Sequence, residues 1–218
     1  PEHMKTKDVI ASCERSLKIM GTDYIDLLTT HWPNPATPIE ETVAGLMKLL
    51  DQGKVREVGV GNVSLRELME YRHLTPVIRN VQNEYNLFDR SVEAEILPYC
   101  KEHDVKFFAY SPLDGGHFGG PTRKAHLKKL AKKRDVGLTE MCLSFPLANS
   151  NVFVLRRISS TKGFPDLEFT EFLSHNAGFV RDMKNWVKPI KLLPSEIELR
   201  LSPYKTIDDA THNYLGYK

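Results

Sequence analysis

Four side chains define the chemistry this sequence can offer: the imidazole of His31, the carboxamides of Asn62 and Gln82, and the phenol of Tyr110. Each stands at or just past the end of a short apolar run: YIDLLTT, VREVGV, VIRNVQ and FFAY. An imidazole can orient a carbonyl group, and two carboxamides with an aromatic face can hold a flat, amide-bearing ring. The same positions offer no paired carboxylates, no H-E-x-x-H and no Walker loop, so redox or binding chemistry is favoured over hydrolysis. Taken singly, each residue has a plainer reading: a hydrogen-bonded histidine at a strand end, a turn asparagine, a satisfied glutamine at a sheet rim, a packed tyrosine. Only their joint placement raises them above that.

Joint placement requires strands that run the same way. Between residues 8 and 155 the apolar spacing alternates between a helical period and short buried runs, the signature of βαβ units on a parallel sheet. The expected strands are 24–30, 55–60, 77–82, 107–110 and 152–155. The expected helices are 9–20, 39–51, 64–71, 91–103, 124–133 and 139–147. Capping-box patterns at Thr37-Pro38-Ile39-Glu40 and Ser64-Leu65-Arg66-Glu67 predict two of the helix starts. About five strand-helix units make an incomplete α/β barrel of the (β/α)8 TIM-barrel type, since closure takes eight strands. In such a barrel the loops after the strands form the active site, which is where the four residues fall. Residues 1–160 are expected to form this partial barrel. Residues 161–218 lose the rhythm and read as a divergent tail packed on it, with at most two helices near 170–173 and 179–187.

Composition narrows the function classes. Thirty Lys and Arg against 28 Asp and Glu leave a formal charge of +2, too little for the broad positive field of nonspecific nucleic-acid binding. Cys13, Cys100 and Cys142 are odd in number and far apart, which argues against a disulfide framework or a zinc site and for a cytoplasmic location. No apolar run is long enough to span a bilayer and no secretory signal is visible. The basic segment RKAHLKKLAKKR with the helix that follows could imitate a helix-turn-helix DNA reader. Leu127, Leu130 and Ala131 nevertheless give it one inward face and leave its lysines solvated, as an outer barrel helix requires.

The segments GTDYIDLLTTHWP, TPIEETVAGLMKLLDQGKVREVGVGN, VQNEYNLFDR and AYSPLDGG resemble consecutive blocks of the aldo-keto reductase family, in family order, over roughly three quarters of the chain. The resemblance implies NADP(H)-dependent reduction of a small aldehyde or ketone by hydride transfer. It assigns His31 to orienting the carbonyl, and Asn62 and Gln82 to the nicotinamide carboxamide. Tyr110 is assigned to stacking on the ring, and Ser111, Leu113 and Gly115 to the loop that approaches the pyrophosphate. Arg157 stands where a basic residue would meet a phosphate.

The departures carry as much information. Gly61 replaces a serine common in the family, at a cost of one hydroxyl contact worth roughly 1 kcal/mol. The family's catalytic aspartate, tyrosine and lysine lie on earlier strands and are not evident here, so little or no turnover is expected from the chain alone. Asp209 and Tyr214 have the spacing of that motif, but Lys162 precedes them, against the family order. A noncatalytic cofactor-binding or scaffold role is the alternative. Open sheet edges predict self-association.

Overall fold

The computed structural model describes residues 4–155. In chain order the elements are α1 (Thr6–Met20), β1 (Ile25–Thr30), α2 (Ile39–Asp51), β2 (Val55–Gly61), α3 (Leu65–Leu74) and β3 (Ile78–Glu84). Then follow a 3-10 turn (Ser91–Glu93), α4 (Ile96–Glu102), β4 (Lys106–Tyr110), a second short turn (Asp114–Gly116), α5 (Pro121–Lys133), α6 (Leu138–Leu147) and β5 (Val152–Val154). The strands form one sheet in the order β1-β2-β3-β4-β5, and both β1 with β2 and β2 with β3 pair in parallel. A helix separates each strand from the next, as parallel pairing demands. Arg157, the expected boundary at 160/161 and the two expected tail helices lie outside the described residues.

Local chemistry explains most element limits. Ser64 caps α3 as predicted: its hydroxyl accepts from the Glu67 amide at 3.3 Å, and the Glu67 carboxylate accepts from the Ser64 amide at 2.7 Å. The predicted box at Thr37 does not form. The Thr37 hydroxyl instead accepts from Asn34 Nδ2 at 3.1 Å, and α2 starts behind Pro38 without a side-chain cap. The predicted helix over 91–103 splits into a 3-10 turn and α4. Pro98 gives the reason: lacking an N–H, it is tolerated in a first turn but not inside a helix, so α4 begins at Ile96. At the other end of the chain, Gly21 closes α1 at φ 66°, its amide donating to the Leu17 carbonyl at 2.9 Å.

The chain divides into two compact units. The first holds the residues up to Asn83 together with Glu93–Phe108, and the second holds Glu84–Val92 together with the residues from Ala109 onward. In the first unit, Leu46 and Leu49 of α2, Val58 and Val60 of β2, and Leu68 and Tyr71 of α3 are almost completely buried and dominate the core. Gly45 allows α1 and α2 to approach, since a Cβ there would lie 2.9 Å from that of Val9. In the second unit Leu127, Leu130 and Ala131 of α5 cluster with Met141 and Cys142 of α6 and with Leu87 and Phe118. Lys128, Lys129, Lys132 and Lys133 remain exposed, the amphipathic split expected of an outer helix.

Candidate functional site

In the first unit three strand ends meet through one residue. β1 stops at Thr30 and leaves His31 exposed, its ring 6.1 Å from that of Trp32. β2 stops at Gly61, and Asn62 then takes the left-handed conformation at φ 55°, which asparagine tolerates better than most residues. That turn points both donors of Asn62 at its neighbours. Its side-chain Nδ2 donates to the His31 carbonyl at 2.6 Å, and its amide donates to the Gln82 carbonyl at 2.9 Å. Gln82 lies opposite Gly61 in the β2–β3 register. Its carboxamide has no hydrogen-bond partner among the described residues and is half-buried. The structure thus links His31, Asn62 and Gln82, but through backbone carbonyls in two of the three cases.

Gly61 has a reason beyond a missing hydroxyl. A Cβ there would stand 2.5 Å from the Thr30 carbonyl oxygen and 3.1 Å from that of His31, so this backbone admits no side chain. Directly behind, Asn83 fixes the next loop. Its Nδ2 donates to the Val63 carbonyl at 2.8 Å and its Oδ1 accepts from the Val63 amide at 3.2 Å. The buried Thr30 hydroxyl has no partner among the described residues.

The second unit carries the last residue of β3, Glu84, and the end of β4, Tyr110, with further carboxylates in the loops beyond them. Tyr110 closes β4, and its carbonyl accepts from the Tyr85 amide at 3.4 Å. Burial, with the nearby charges of Glu84 and Asp89, pushes the Tyr110 phenol up to about 12, so the ring stays neutral. Glu84, the last residue of β3, is pushed up to about 7, first by burial and then by Asp89 and Asp114. Three carboxylates thus bear on one another here, one at the end of β3 and two in the loops that follow β3 and β4.

Asn86 organises the rim. It is 1% exposed. Its Nδ2 donates to the Ser111 carbonyl at 3.0 Å and to Glu84 at 3.2 Å, while its Oδ1 accepts from the amides of Phe88 at 2.7 Å and Asp89 at 2.8 Å. The loop after β4 is wound largely in left-handed conformations: Ser111, Asp114, Gly115, Gly116, Phe118, Gly119 and Gly120 all have positive φ. The amides of Asp114, Gly116, His117 and Gly120 donate to the carbonyls of Ser111, Leu113, Asp114 and His117, so the loop closes on itself. Leu113 packs against the α5–α6 cluster, while Gly115 is exposed. Asn86 and Asp114 escaped the sequence reading, although Asn-x-Phe-Asp after a strand is a turn pattern that could have drawn attention to Asn86.

Among the described residues no helix is long and apolar enough to cross a membrane, and no group of three or more His, Cys, Asp or Glu could hold a metal ion.

Residues 1–163 match the model of the aldo/keto reductase family. The chain is 39% identical over 118 residues to aldo-keto reductase YhdN of Bacillus subtilis, covering 54% of this chain and 35% of that one. It is 36% identical over 142 residues to the NADH-specific methylglyoxal reductase of Escherichia coli, covering 62% and 41%. The structure superposes on the thermostable aldo-keto reductase Tm1743, solved with the inhibitor epalrestat, at a TM-score of 0.74 and 30% identity, covering 93% of this chain and 68% of that one. With its strand-helix order, parallel sheet and family match in agreement, this chain belongs to the aldo/keto reductase family of (β/α)8-barrel oxidoreductases. It spans roughly a third to two fifths of the length of the two curated relatives just described.

Proposed function

We propose that this chain carries the nicotinamide-binding rims of an NADP(H)-dependent reductase of small aldehydes and ketones. The observation that carries the reading is Asn62, which binds the strand ends bearing His31 and Gln82 into one element while the Gln82 carboxamide has no partner among the described residues. A free carboxamide at a rim suits the amide of a nicotinamide, and the loop with Ser111, Leu113 and Gly115 is the one that the family resemblance sets against the pyrophosphate. These residues therefore fit the cofactor class. When bound, the dihydronicotinamide supplies hydride to the carbonyl carbon.

In this reading His31 orients the carbonyl oxygen, Gln82 accepts and donates at the carboxamide, and the neutral Tyr110 ring offers a flat apolar face. Asn62 acts by holding the His31 peptide. The family's catalytic aspartate, tyrosine and lysine are not evident among the residues of this chain, which supports the second reading, a chain that binds the cofactor without turning over. The basic residue at 157 belongs to this proposal, as do a cytoplasmic location, a partial barrel over 1–160 with 161–218 packed on it, and self-association through the outer strands β1 and β5.

Quenching or enhancement of NADPH fluorescence on titration with the chain tests the reading. Saturable binding that Gln82→Ala and Asn62→Ala weaken by about tenfold, the loss of one or two good hydrogen bonds, is expected. No binding of NADPH or NADH would sink it. Oxidation of NADPH in the presence of a generic aldehyde separates the catalytic from the noncatalytic form.

A further inference from the structure

The loop after β4 holds a charge that no part of the proposed reaction requires. Asp114 sits in the left-handed region at φ 52° and its Oδ2 accepts from the Gly119 amide at 2.9 Å. Position 119 accepts only glycine: it has φ 71°, and a Cβ there would lie 2.5 Å from the Phe88 ring. The contact therefore closes a five-residue gap in the loop with a carboxylate. One face of the same loop is cationic. Lys124, in the first turns of α5, donates to the Gly116 carbonyl at 3.2 Å and lies 4.8 Å from the centre of the Phe118 ring. The loop that would take an anion thus already contains one, seated on its own amide.

We propose that Asp114 tunes cofactor affinity: it closes this loop through a contact that the neutral amide oxygen of an asparagine would also make, while its charge weakens capture of an anionic dinucleotide. The inference rests on the cofactor reading above. The two roles separate because the hydrogen bond needs only an oxygen acceptor, whereas repulsion of a pyrophosphate needs the charge. Asparagine keeps the first and removes the second. Alanine removes both. The field of Asp114 reaches its surroundings, since with burial and Asp89 it helps hold the Glu84 carboxyl up.

The test is NADPH fluorescence titration of the full 218-residue chain and of Asp114→Asn and Asp114→Ala, at about 20 mM and 300 mM salt. Asp114→Asn is expected to bind about three- to tenfold more tightly than the parent at low salt, the size of one like charge several ångströms away in a partly solvated site. The advantage should shrink at high salt, where charges are screened over a few ångströms. Asp114→Ala should bind less tightly than Asp114→Asn, having lost the loop closure. Equal or weaker binding by Asp114→Asn, with unchanged thermal unfolding, overturns the role of Asp114 and leaves the cofactor reading standing. Absence of binding by parent and variants alike overturns both.

Discussion

Glu57 and Glu84 are the same residue type on neighbouring strands, each hydrogen-bonded by an asparagine, yet their acidities move in opposite directions. In the first unit, Asn80 Nδ2 donates to Glu57 at 3.0 Å, Lys106 approaches it at 3.3 Å, and the carboxyl lies below the usual glutamate range. In the second, Asn86 donates to Glu84 at 3.2 Å, but burial and the charges of Asp89 and Asp114 push the carboxyl up to about 7. The asparagine bond favours the ionised form in both. The difference comes from burial and from the sign of the nearest charges, which the two units supply oppositely. One unit sets a lysine beside its carboxylate, and the other sets two further carboxylates near its own.

The sharpest way to break the comparison is to remove the asparagine of the acidic rim. Asn86→Ala strands the amides of Phe88 and Asp89, while the Ser111 carbonyl keeps the Asp114 amide as donor, and is expected to cost about 2 kcal/mol of unfolding free energy in urea titrations, each buried orphan being worth about 1 kcal/mol or more. A loss under 1 kcal/mol would mean that the rim is not built on this residue. Next comes Gly61→Ser, which restores the residue common in the family. The near contact with the Thr30 carbonyl predicts a loss of about 1–3 kcal/mol rather than a gain, readable as a lowered Tm.

Glu84→Gln has a smaller, pH-dependent effect. Because its folded-state pKa is raised, Glu84 costs nothing below the ordinary value of 4.5, and stability falls as pH rises from there through about 7. The glutamine variant should therefore match the parent at pH 4 and exceed it at pH 8. The excess should be on the order of 1 kcal/mol once solvent screening of this half-buried group is allowed for. Unfolding curves at the two pH values decide. Smallest is Lys106→Ala, which breaks a pair whose partners are both about half exposed and should cost under about 1 kcal/mol, less at high salt.

How much of this was legible beforehand varies by element. The five strands and the capped start of α3 follow directly from apolar spacing and the Ser64–Glu67 pair. The start of α2 did not, because Asn34 competes for the Thr37 hydroxyl, and nothing in the helix itself reveals that rival. Pro98 was visible, and its consequence for α4 could have been drawn. At the site, positions 31, 62 and 82 were found from strand ends, but the hydrogen bonds joining them pass through carbonyls common to every residue. Glu84, Asp89 and Asp114 lie 30 residues apart at the extremes, and only folding makes them neighbours. Their shared field has no sequence signature.

The left-handed turn at Asn62 carries a consequence for how the first rim must be dissected. One side chain and one peptide N–H serve as the pin between two strands, and both bonds end on backbone carbonyls, so a substitution at 31 or 82 leaves the pin in place while a substitution at 62 removes its side-chain half. Free-energy losses at 31 and 82 should therefore add almost independently, whereas a loss at 62 is felt at both neighbours.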